Sequence, residues 1–165
     1  MSTPIQQELK DRAVYHFQWN QDRILGCLDQ ISEAAVWQRP NEVSNSIGNQ
    51  ILHLCGNIGQ YILSSLAQAP DTRERSVEFA TQAGFNKQEL ASKLKQTTQA
   101  AIAVIEAVTE RQLLRKRKVQ AFDYSGIAII MHATEHYSYH TGQIIFWTKQ
   151  LKEVDLDFYG SVDLG

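Results

Sequence analysis

The chain has 165 residues, 43% of them apolar and 21% charged, with a formal charge of -2 and two cysteines. That length suits a single domain, residues 1–165, able to bury a core without disulfides or structural metals. The composition excludes a disordered chain, and the slightly acidic balance excludes the basic footprint of a nucleic-acid binder.

Helical periodicity fills the long stretches between three prolines and nine glycines. A first helix is expected over about Ile5–Ile31, its apolar stripe made by Ala13, Val14, Phe17, Ile24, Leu28 and Ile31. Ser32 caps a short following turn that ends at Arg39-Pro40, because proline disfavours helix in the residue before it. A second helix starts near Ser44–Ser46 and stops before Pro70, with Ile47, Ile51, Leu54, Ile58 and Ile62 on its apolar side. A third begins at Asn86, whose spacing to Glu89 is that of a capping box, and continues through Leu90, Leu94, Ala101, Ile105 and Val108.

The fourth helix runs from about Ser125 to Leu151, leaving residues 152–165 as a tail. The connections Pro70–Phe85 and Thr109–Tyr124 are longer than bundle loops usually are, and Thr109 with Gln112 predicts a capped turn in the second. No strand-like alternation stands out. Four amphipathic helices make the fold class all-α, a four-helix bundle. The opening MSTPIQQELKDR is polar, and no run reaches the roughly 18 apolar residues of a membrane span. The expectation is a cytoplasmic protein without a membrane partner.

Chemistry concentrates on the fourth helix, at His132, His136 and His140. A four-residue step advances only about 40° around a helix, so these imidazoles share one face with Ile129, Ala133, Ile144 and Trp147. One histidine on an apolar face is ordinarily a hydrogen-bonded core residue. Three are costly to bury unless something satisfies their nitrogens, and a pair four residues apart can chelate one divalent ion.

A pair on one helix needs at least one further ligand, and His16, His53 and His132 itself are the candidates. The face of His53 carries Asn49, Gly56, Asn57 and Gln60. Periodicity alone reads it as a solvent side or as the wall of a hydrated pocket.

Several segments resemble the DinB/YfiT-like family over nearly the whole chain. They are Trp19-Asn20, the stretch Ser46 to Leu54 around His53, the stretch His136-Tyr-Ser-Tyr-His140-Thr-Gly-Gln143-Ile144, and the tail Asp155 to Tyr159. The resemblance implies a divalent metal, typically nickel, zinc or iron, held by His53, His136 and His140. His132 matches no ligand position and is expected beside the pocket. Asn49, Asn57 and Gln143 are expected near the ligand faces, placed to hydrogen-bond a ligand imidazole, with Tyr139 as a pocket wall.

Three neutral imidazoles leave the ion its full charge and an open position, where a thiol or water is activated. The resemblance therefore implies a metal-dependent enzyme acting on a small-molecule substrate. Transfer with a low-molecular-weight thiol as cosubstrate is favoured. A hydrolase, a non-catalytic metal-stabilised binding protein and a metal-free bundle are the alternatives. Glu135 points off the ligand face, so no general base is assigned. Arg115–Lys118 reads as a solvated basic loop. A homodimer is expected, with Gly56 and Gly59 as an exposed region permitting close approach.

Overall fold

In the computed structural model, which describes residues 3–160 together with Val162 and Asp163, polar caps start every long helix. Helix α1 spans Pro4–Gln30, with proline in its first turn and the Thr3 hydroxyl accepting from the Gln6 amide. Ser32 caps the single turn α2, Glu33–Val36. Ser46 and Asn49 form a reciprocal capping box at the start of α3, Ile47–Ile58. Asn86–Glu89 does the same for α5, Lys87–Ala107, and Thr109–Gln112 for α6, Glu110–Leu114. Ser125 caps α7, Gly126–Lys152, which closes on Glu153 in a left-handed conformation. Each cap satisfies an amide that the first turn would otherwise leave unpaired.

Four long helices bury the expected stripes. Phe17 and Ile24 of α1, Ile47, Ile51, Leu54 and Ile58 of α3, Leu90 and Leu94 of α5, and Ile129 and Ile144 of α7 are sealed from solvent. Cross-helix pairs fix the directions. Phe17 meets Tyr137 and Asn20 meets Ser138, so α1 and α7 run parallel. His140 faces Gln50 while His132 stacks on Tyr61, so α3 runs against α7. Lys10 donates to the Glu106 carbonyl and Lys87 to that of Ile31, which sets α5 against α1. The order is up, down, down, up. The long crossing from the end of the second long helix to the start of α5 therefore has to traverse the bundle, and it carries the turn α4, Arg75–Ala80.

Two features depart from the sequence expectations. Past Ile58, α3 widens into a π-helical segment, Gly59–Leu66, which buries Tyr61 and turns it toward α7. The second connection holds a small antiparallel hairpin, β1 Arg117–Val119 with β2 Phe122–Tyr124. The basic run read as a solvated loop thus ends in a strand, and Arg117 donates to the Gln112 carbonyl. Period-two patterning is invisible in strands of three residues. No described helix is long and apolar enough to cross a membrane.

Candidate metal centre

His53 projects from α3, and His136 and His140 from successive turns of α7. One ring nitrogen from each lies within 4.8 Å of the others. Among the described residues, no other group of three or more His, Cys, Asp or Glu side chains converges in this way. His53 and His140 are buried and His136 is half-buried, so the polar face of α3 is an inner wall and not a solvent side.

The Nε2 atoms of His53 and His136 are 3.0 Å apart. Two ligands on one tetrahedral ion with bonds of ~2.05 Å stand about 3.3 Å apart, so the spacing of this pair fits a shared ion. The remaining nitrogens support this. His53 Nδ1 donates to Glu78 Oε2 at 2.8 Å, which leaves its Nε2 lone pair facing the cluster. His140 Nδ1 is 3.4 Å from the Gln50 amide oxygen, and the Gln143 side chain lies near enough to favour the charged form of this ring. Outward hydrogen bonds from two of the three imidazoles are the arrangement that orients metal-binding histidines.

Arg73 completes the support. Its Nε and Nη2 reach both Glu78 oxygens at 2.7 and 3.0 Å, and its Nη1 donates to Gln60 at 3.0 Å. Burial raises the Glu78 pKa, but hydrogen bonds from His53 and Arg73 and the guanidinium charge outweigh it, and the net shift is downward. The carboxylate therefore stays ionised. Burial, reinforced by the neighbouring imidazoles, lowers His136 to about 3; burial and His53 lower His140 to about 4. Both rings are neutral near pH 7, the state that ligates metal.

The sequence profile of a family described as a protein of unknown function, DUF1572, matches residues 5–160. The chain belongs to the DUF1572 family. Its fold is that of DinB-like proteins. A DinB-like protein from Bacillus subtilis (YjoA) is similar at 21% identity and a TM-score of 0.69, over 90% of this chain and 97% of that one. A conserved protein from Enterococcus faecalis is similar at 18% identity and 0.63, over 90% and 96%. No curated protein matches.

The other residues expected at the centre of this DUF1572 chain divide. Gln143 lies near His140, and exposed Tyr139 makes a T-shaped contact with the same ring. His132 stacks between Tyr61 and His136, at 4.3 and 5.6 Å between ring centroids, with a buried Nε2 that lacks a hydrogen-bond partner. Among the described residues Asn49 hydrogen-bonds no ligand histidine; its amide donates to the carbonyls of Glu78 and Thr81 and thereby pins the crossing segment to α3. Asn57 is buried with its amide oxygen unpaired. His16 lies apart, against Tyr15 and Trp19.

Glu78, Arg73 and Gln50 were not singled out from the sequence. The first two sit in a long connection without periodicity, and only the crossing brings them to His53. A cleft of about 480 Å³ opens on the other side of the Arg73–Glu78 pair, walled by Leu52, Cys55, Leu63 and Phe85. Gly56 is not an exposed contact point: Glu78 covers it, and a β-carbon there would collide with the carboxylate.

Proposed function

We propose that this chain is a metal-dependent enzyme holding one divalent ion, nickel, zinc or iron, with His53, His136 and His140. It acts on a small-molecule electrophile with a low-molecular-weight thiol as cosubstrate. The observation that carries this reading is the convergence of three imidazole nitrogens, with the outer nitrogens of His53 and His140 tied to acceptors.

When bound, the ion supplies a Lewis acid with an open position that lowers the pKa of a thiol or water there. Glu78 locks the His53 tautomer, and Arg73 keeps that carboxylate ionised and in place. Gln50 orients His140. Tyr61 and His132 form an aromatic wall beside His136. Hydrolysis is the second reading, and His132 is what favours it: its unpaired Nε2 leaves a nitrogen to hold a nucleophilic water beside the site.

Elemental analysis of protein purified without an affinity tag tests the reading, with His53→Ala and His136→Ala alongside. The expected result is about one divalent ion per chain in the wild type and none in either variant. The metal-loaded protein then consumes a thiol in the presence of a model electrophile. A wild type that binds no nickel, zinc or iron even when these are supplied would sink the proposal. Metal uptake with no turnover of thiol or ester substrates would make the chain a metal-stabilised binding protein.

A further inference from the structure

Helix α7 carries an outward ridge of Met131, Tyr139 and Phe146, which are 61%, 62% and 65% exposed. A long solvated helix face is normally covered with charges. Between Gly126 and Lys149 this helix has only two ionic side chains besides its histidines, Glu135 and Lys149. Both lie on the same outward ridge. At its middle is Gly142, where an added β-carbon would meet nothing within 4 Å.

The order along the ridge is self-complementary. Glu135 and Lys149 stand seven residues on either side of Gly142, while Tyr139 precedes it by three and Phe146 follows it by four. A two-fold axis through Gly142 lays a second α7 antiparallel on the first. It then places Glu135 of each copy opposite Lys149 of the other, and Tyr139 of each beside Phe146 of the other. The two glycines face each other and allow the helices to approach closely. An isologous contact requires a surface that matches itself under such a rotation.

We infer that the outward face of α7 is a homodimer interface, with its two-fold axis at Gly142 and two symmetric Glu135–Lys149 ion pairs. Among the described residues, the Lys149 ammonium makes a long contact to exposed Asp155, 3.8 Å away, and its side chain is 47% exposed, within easy reach of a partner. A membrane surface or an unrelated protein would satisfy the apolar ridge, but neither requires opposite charges placed symmetrically about a glycine. None of these residues is a proposed metal ligand, so the inference stands or falls independently of the metal.

Sedimentation equilibrium on the full chain tests it. The wild type is expected to dimerise reversibly. Glu135→Lys or Lys149→Glu, each setting like charges together twice by symmetry, raises the dissociation constant at least about tenfold. Combining the two reversals restores it to within about threefold, because the pairs re-form with opposite sense. Phe146→Glu gives a monomer with unchanged helical circular dichroism. A wild type that stays monomeric at its highest soluble concentration overturns the inference. So does a dimer indifferent to the single reversals, or one that the double reversal fails to recover.

Discussion

Glu78 is the residue on which the geometry of His53 turns. Glutamine at that position keeps an oxygen acceptor for Nδ1 but loses the charge that pairs with Arg73, leaving a guanidinium whose side chain is 4% exposed without its counter-ion. The imidazole is then free to rotate or to move its proton to Nε2, where it would block ligation. Glu78→Gln is expected to weaken metal affinity by about 10- to 100-fold, the usual cost of removing such a hydrogen-bonding partner. Competition against a chromophoric chelator measures this directly. Affinity within a factor of two of wild type would mean that the pair serves only to hold the crossing segment. Cys55, also in the cleft wall, is not part of the converging group, and burial raises its thiol to about 11.

At the scale of elements, the centre depends on the crossing segment lying flat against α3. Gly56 makes that possible, since it leaves room for the Glu78 carboxylate one turn beyond His53. Alanine there gains about 1 kcal/mol of helix propensity. It also drives the carboxylate away from Arg73 and His53, and disrupting a buried pair costs about 3–5 kcal/mol. The second effect is larger, so Gly56→Ala is expected to destabilise the fold and weaken metal binding together. Urea unfolding and metal titration on the same variant check both; a net gain in stability would show that the segment yields freely.

This dependence also explains what the sequence disclosed. The helices were legible because Ile47, Ile51, Leu54 and Ile58 repeat at helical spacing and Ser46, Asn86 and Ser125 cap them. The polar face of His53 was ambiguous, because periodicity separates apolar from polar residues and cannot tell water from a buried polar network. Glu78 and Arg73 were illegible for a different reason. Their meeting with His53 spans 25 and 20 residues of chain without a repeating pattern. The π-helical widening left no local mark either, although it sets Tyr61 on His132.

For the whole molecule, the proposed ion would join α3 to α7, two antiparallel helices that otherwise meet through side-chain packing. A ligand that binds only the folded state stabilises it by about 2.7 kcal/mol at a hundredfold excess over its dissociation constant. For a chain of this size that corresponds to a rise in Tm of about 5–10 °C. The metal-free protein should respond to acid in the opposite sense. His136 and His140 titrate at about 3 and 4 in the fold, below the ordinary histidine value of 6.5, because burial penalises their charged forms. Below pH 6.5 the unfolded chain therefore takes up protons that the folded chain refuses, and stability falls as pH drops from 6.5 toward 4. Thermal unfolding at pH 7.5 and pH 5, with and without metal, reads both effects at once. The metal-free Tm should be lower at pH 5, and metal should raise it at pH 7.5. His136→Ala should abolish the metal effect and flatten the pH effect, since it removes one ligand and one depressed imidazole together. A variant that loses the metal response but keeps the full pH slope would shift the acid sensitivity to other groups and leave the metal assignment intact.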